Sequence, residues 1–259
     1  MIHLICLTLA QAIFLLTASI FGGALNAIAG GGSFIAFPAL LLTGIPPIPA
    51  NATNTVAMWT GVTASIGAYR KKLNVPMRVM APLVGSSVVG GLIGAILLLK
   101  TPAHTFMRVL PWLMLSATLL FTFGRKLRAK SSSVAHDATT RAIVVVAIFE
   151  LFVATYGGYF GAGMGFVILA MLALLGMTDI HSMNALKTVL SSTTNGLAVL
   201  AFIVARAVYW PQAVIMLIGA MVGGYFGAHY AQRLPQSLVR GFVISLGIVM
   251  TVYFFVTAY

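Results

Sequence analysis

The stretch Asn26-Ala27-Ile28-Ala29-Gly30-Gly31-Gly32-Ser33 lies inside an apolar run that extends from Leu4 to Leu42. A membrane-spanning helix needs about 20 apolar residues, so this run is nearly twice as long as one span. Glycine costs a helix interior about 1 kcal/mol relative to alanine, so three in succession predict a break. Unwinding there exposes backbone N–H groups. The half-helix that follows, Ser33 to Leu42, aims the positive end of its dipole at the break. Backbone alone then makes a site for an anion. The competing reading is close helix packing through small residues.

Seven more apolar runs follow. They cover Asn51 to Tyr69, Val79 to Leu99, Phe106 to Phe123, Arg141 to Leu175, Met183 to Ala205, Trp210 to Tyr230 and Leu238 to Thr257. The run from Arg141 is also overlong, and Gly161-Ala162-Gly163-Met164-Gly165 interrupts it. Such continuous runs do not alternate as barrel strands do, and only helices or closed barrels satisfy the backbone in lipid. With 60% hydrophobic and 7% charged residues, the chain carries far fewer charges than the roughly 25% of soluble domains. The expected fold is all-α and polytopic, with about eight transmembrane helices. The first run carries no Lys or Arg before it and is too long for a secretory signal, so it reads as a retained span.

The net charge is +12. It falls in short clusters between apolar runs, which is the pattern of membrane topology rather than of nucleic-acid binding. If each glycine-broken run crosses once, Arg70, Lys71, Lys72, Arg78, Arg125, Lys126, Arg128, Lys130, Arg141 and Arg206 share one side. Lys100, Arg108, Lys187, Arg233 and Arg240 share the other. Ten against five makes the first side, and both termini, cytoplasmic. The single cysteine, Cys6, excludes an internal disulfide and any cysteine cluster.

The halves resemble each other at one offset. Gly30 and Gly32 match Gly163 and Gly165, each pair 133 residues apart. At the same offset Asn51-Ala52 matches Asn184-Ala185, Thr55-Val56 matches Thr188-Val189, Gly90-Gly91 matches Gly223-Gly224, and Pro102 matches Pro235. This predicts two homologous four-helix repeats, 1–123 and 141–259, each with its first helix broken, joined by a basic linker, 124–140. Repeats of this kind build many secondary transporters. Four crossings per half give parallel repeats. Re-entrant hairpins at the breaks change the parity and give inverted ones, and the sequence leaves both open.

Polar residues gather at the starts of the second and sixth runs. Asn51, Asn54 and Thr55 open one, and Asn184, Lys187 and Thr188 the other, followed by Ser191-Ser192-Thr193-Thr194-Asn195. Amides and hydroxyls can replace the hydration shell of a small polar solute, and Lys187 suits an anion. The plainer readings are that Asn51 and Asn184 cap helices and that Lys187 snorkels to the interface. Glu150 is the sole acid deep within an apolar run, since Asp137 and Asp179 fall between runs. A charge at mid-membrane is expensive, so Glu150 is the candidate proton carrier. The alternative is a glutamate that only ties helices together. The five histidines show no metal spacing, and HExxH, SxxK and P-loop patterns are absent, so neither enzyme nor cofactor is expected.

One further set of motifs is specific in its order. Asn26 to Ser33 runs on through Phe37-Pro38 and Gly44-Ile45-Pro46-Pro47 to Ala50-Asn51-Ala52-Thr53-Asn54-Thr55. In the second half Tyr156-Gly157-Gly158-Tyr159-Phe160-Gly161-Ala162-Gly163-Met164-Gly165 is followed by Asp179 and Asn184-Ala185-Leu186-Lys187. Over nearly its whole length the chain resembles the sulfite exporter TauE/SafE family. That resemblance implies a bacterial inner-membrane transporter of small anions such as sulfite, sulfoacetate and other organosulfur compounds. The implied partners are a small anionic solute and the lipid bilayer, with homo-oligomerisation open. The expected site joins Asn26, Gly30, Gly31, Gly32, Asn51, Asn54 and Thr55 to Gly161, Gly163, Gly165, Asn184, Lys187 and Thr188. The expected mechanism is alternating access, with Glu150 coupling a proton. An anion channel is the rival.

Overall fold

The structure, a computed structural model, describes residues 7–29, 31–69, 73, 75–123, 139–177, 179–230 and 236–259. Gly30, Arg70 to Lys72, most of the basic linker and Arg233 fall outside these. The described residues form ten helices. In chain order they are α1 (Leu9–Ala29), α2 (Ser33–Leu42), α3 (Pro47–Tyr69), α4 (Met77–Lys100), α5 (Ala103–Phe123), α6 (Thr140–Tyr159), α7 (Met164–Leu174), α8 (Ile180–Val204), α9 (Trp210–Tyr230) and α10 (Gln236–Ala258). Among the described residues, four stretches are long and apolar enough to cross a membrane by themselves: Leu9–Asn26, Met77–Lys100, Thr140–Tyr159 and His181–Val204. Shorter apolar stretches lie in α2, α7, α9 and α10.

Each overlong run is split at its glycines into a long helix and a short one. The break reverses the chain. In an uninterrupted helix, Gly22 and Ala36 would stand about 21 Å apart. Here a Cβ at Gly22 would lie only 3.5 Å from the Ala36 Cβ. So α2 runs back along α1. Likewise Met164, the first residue of α7, lies against Gly157 of α6. Gly161 and Gly163 make that second reversal with φ of +76° and +75°, values that β-carbon sterics deny most residues.

The direction of α3 follows from one bond. The backbone N–H of Tyr209, just before α9, donates to Thr53 Oγ1 at 3.0 Å, so α3 and α9 begin at the same end. Pro47 starts α3, where its missing N–H costs nothing.

The most extensive helix contacts join α4 to α6 and α1 to α9. Both are glycine seams. A Cβ on Gly90 would stand 2.6 Å from the Leu151 carbonyl of α6, and one on Gly91 2.5 Å from the Thr194 carbonyl of α8, which packs on the same helix. A Cβ on Gly158 would strike the Gly91 carbonyl; one on Gly223 would strike that of Ile20. Small residues thus let the backbones touch, the means by which helices associate in lipid. Ser87 of α4 pairs with Glu150 of α6, and Gly94 with Thr155. Numbers rise together, so these two helices are parallel. In the α1–α9 seam, Gly219 meets Leu16 and Gly223 meets Ile20, again parallel. One core cluster gathers side chains of α4, α6, α7 and α8, around Leu83, Val153, Ile168 and Leu186. Another gathers those of α1, α2, α3, α5, α9 and α10 around Leu15, Phe37, Phe106 and Phe254, together with Ala95 and Leu98 of α4 and Ala198, Val199 and Phe202 of α8.

Candidate functional site

The two breaks converge on the first turns of α3. Asn51 and Asn54 are three residues apart and share a face. Asn51 Nδ2 donates to the carbonyl of Tyr159, the last residue of α6, at 3.0 Å. Asn54 Nδ2 donates to Ser33 Oγ, on the first residue of α2, at 3.1 Å. One asparagine therefore touches the end of a long helix and the other the start of a half-helix. Both side chains are buried, at 0% and 1% exposure, and the Oδ1 atom of each has no hydrogen-bond partner.

The capping reading of Asn51 and Asn184 is overturned. Each lies four residues inside its helix, since α3 starts at Pro47 and α8 at Ile180. The cap of α8 is Asp179, which accepts from the backbone N–H of His181 at 3.1 Å and of Ser182 at 3.0 Å, and from Ser182 Oγ at 2.7 Å. These bonds, the Ser182 hydroxyl foremost, hold its carboxyl below the usual aspartate range.

The remaining site residues divide. Gly31 and Gly32 are buried, and a Cβ on Gly32 would stand 2.8 Å from the Asn26 Cβ. Gly163 caps α7 without a side chain. Gly165 lies under the Lys187 stem: a Cβ there would sit 3.4 Å from Lys187 Cδ. So Lys187 is drawn to the second break, as Asn54 is to the first. Thr55 Oγ1 and Thr188 Oγ1 each donate 2.8 Å bonds back to their own helices, to Asn51 O and Asn184 O. Glu150 stands apart. It is fully buried in the α4–α6 seam, where Ser87 Oγ donates to its Oε1 at 2.6 Å and its Oε2 has no partner. Along α6 it lies about 14 Å from Tyr159.

Sequence reading missed several participants. Trp59 Nε1 donates to the Ser192 carbonyl at 2.9 Å, tying α3 to α8. Thr63 Oγ1 and Ser192 Oγ are 2.8 Å apart. Tyr156 OH donates to Ala162 O at 2.6 Å, bracing the second reversal. Tyr159 and Ser33 receive the two amides. For Tyr159 the acceptor is a backbone carbonyl, to which no side-chain pattern points. Among the described residues no cluster of His, Cys, Asp or Glu could hold a metal ion. Two cavities, of about 390 and 440 Å³, lie elsewhere, between α4 and α6 beside Arg78 and between α2, α5 and α10 beside Gly44.

The fold and site define a class, polytopic helical membrane proteins with broken-helix hairpins at a buried polar centre. The profile of the family described as Sulfite exporter TauE/SafE matches residues 15–254, and the chain belongs to that family. It is similar to a "Probable membrane transporter protein" of Haemophilus influenzae, 30% identical and covering 88% of each chain. The "Probable membrane transporter protein ORF9" of Sinorhizobium sp is 26% identical, over 92% of this chain and 90% of its own. YfcA of Escherichia coli, another "Probable membrane transporter protein", is 28% identical over 88% and 84%. Family and relatives alike indicate a membrane transporter.

Proposed function

We propose that the protein is a secondary transporter of a small oxyanion, sulfite or an organosulfonate, working by alternating access. The observation that carries this reading is the meeting at α3 of the α2 N-terminus and the end of α6, which leads into the second break, through two buried asparagines, with Lys187 packed on that second break. N–H groups at a helix start favour anions, and Lys187 supplies the charge. Because Asn51 and Asn54 are buried, a solute reaches them only after the helices move apart, which suits alternating access. Glu150 is the proposed proton carrier.

The membrane topology belongs to the same proposal. With α2 and α7 as re-entrant half-helices, each half crosses three times through long helices after its hairpin, and the repeats are inverted. Three facts support it. The helices α8, α9 and α10 begin 133 residues after α3, α4 and α5. The packing of α4 on α6 is mirrored by that of α9 on α1. Charge segregation also sharpens. Arg70, Lys71, Lys72, Arg78, Arg125, Lys126, Arg128, Lys130, Arg141, Arg233 and Arg240 now share a side against Lys100, Arg108 and Arg206, eleven to three once Lys187 is set aside in the site. The linker side is then cytoplasmic, and both termini face away from it, opposite to the assignment from single crossings.

Flux of sulfite and organosulfonates into liposomes tests the function. Saturable uptake that falls with Lys187→Ala and with Gly31→Leu is expected. Unchanged flux in both variants would remove the site, and flux without saturation would make the protein a channel.

A further inference from the structure

We infer that the anion bound at α3 carries a proton of its own: the site takes a monoprotonated oxyanion, with acceptor oxygens and one O–H on the same small solute. This rests on the anion reading above and narrows it.

The argument starts from the two amides. An asparagine amide offers two donors on nitrogen and an acceptor on oxygen. The nitrogen of Asn51 is committed to the Tyr159 carbonyl. That carbonyl accepts and cannot donate, so the amide cannot be reversed without losing the bond. Asn54 Nδ2 donates to Ser33 Oγ at the start of α2, a hydroxyl that can also donate, so it is Asn51 whose amide is fixed by its partner. In this arrangement the two Oδ1 atoms face whatever occupies the shared side of α3. Both are buried and without a partner. A buried acceptor left unpaired is costly, and native proteins rarely keep one without a reason.

On the anion reading, the Lys187 ammonium at the second break seeks acceptor oxygens, whereas the N–H groups of Phe34, Ile35 and Ala36 in α2 and of Met164 and Phe166 in α7 are already bonded to the carbonyls of Gly31, Gly32, Gly161 and Gly163. A fully deprotonated anion satisfies Lys187 and leaves Asn51 Oδ1 and Asn54 Oδ1 facing its negative oxygens. A cation satisfies the two oxygens and is repelled by Lys187. An oxyanion bearing one O–H meets both sets, its hydroxyl donating to an asparagine oxygen. A site built to receive a substrate hydroxyl strongly rejects the analogue that lacks it.

Shape-matched pairs of monoanions separate this from simple anion binding. Purified full-length protein is titrated calorimetrically with hydrogen sulfite against chlorate, and with hydrogencarbonate against nitrate. Within each pair, size and charge are alike and only the first member has a proton to give. The protonated member should bind about tenfold tighter or more in at least one pair. Raising the pH until sulfite is a dianion should weaken its binding and leave chlorate unchanged. In Asn54→Leu the protonated member of each pair should lose more affinity than its partner, so that the preference shrinks. Equal affinity within both pairs would overturn the inference, leaving an anion site whose asparagine oxygens are met by water. Binding of none of the four anions would instead overturn the anion reading itself. The wild-type comparison is decisive even if the variant does not fold.

Discussion

The indole N–H of Trp59 donates to the carbonyl of Ser192 across the α3–α8 crossing, and these residues stand 133 positions apart, the same separation as the starts of their helices. If the halves are the proposed repeats, a residue that touches its own counterpart marks the two-fold axis between them. The neighbouring contacts obey the same symmetry. Thr63 meets Ser192, and Trp59 meets Gly196, which is the same pair carried to the other half. Trp59→Phe removes the hydrogen bond and keeps the ring. The expected cost is about 1 kcal/mol, the net worth of one such bond, read as a lower unfolding temperature in detergent.

The glycine seams predict a sharper loss. Gly158→Val and Gly223→Val drive a side chain into the Gly91 and Ile20 carbonyls. Overpacking of this kind costs about 1–3 kcal/mol or more, so both variants should give less folded protein and a lower melting temperature. Gly85 has nothing within 4 Å, and Gly85→Val should match the wild type. Equal behaviour of all three would mean that the seams are not close-packed in the membrane.

Topology can be read with single cysteines in a Cys6→Ser background, Cys6 being the one native cysteine. Cysteines at Thr139 and at Lys130 should react with a membrane-impermeant maleimide only from the cytoplasmic side. One at Tyr259 should react from the opposite side. Labelling of Tyr259→Cys from the cytoplasm would restore the scheme of one crossing per broken run.

Glu150→Gln keeps the acceptor that Ser87 uses and removes the exchangeable charge. Folding should be nearly unchanged. Uptake driven by a pH gradient should lose its dependence on that gradient, while exchange of solute at equal pH persists. Retained gradient dependence in Glu150→Gln would make the residue a structural tie between α4 and α6.

Asp179 gives a pH dependence of stability with a definite sign. Its folded pKa is depressed by the Ser182 hydroxyl and the His181 and Ser182 N–H groups. The cap therefore stabilises at pH values above that of an unfolded aspartate, about 3.9, and fades as pH falls through the lower folded value. Asp179→Ala should lower the melting temperature at neutral pH, and the gap to wild type should narrow in strong acid.

Much of this architecture was legible in the residues, for identifiable reasons. Hydrophobicity marks a helix in lipid without help from tertiary contacts, so the eight apolar runs and both breaks could be read directly. The direction of the chain after a break could not. Glycine permits either continuation or reversal, and the choice is made by Gly22 against Ala36 and by Met164 against Gly157, contacts that no periodicity encodes. Asn51 and Asn54 were readable as polar residues in an apolar setting. Their partners were not, because one is a backbone carbonyl from another half of the chain. Asp179 read as a loop acid, although the backbone N–H groups just after it were available to be capped.

The seams also settle which parts can swing. Because α4 is locked to α6 and α1 to α9 through backbone contacts, residues 7–123 cannot rock as a block against residues 139–259. Any two rigid bodies must be hybrids, α1 with α2, α3 and α9 on one side and α4 with α6, α7 and α8 on the other. Their hinge line would run along the crossing of Trp59 with Ser192, and a cross-link on that line would leave the swing free, while one joining the two bodies away from it would stop the motion.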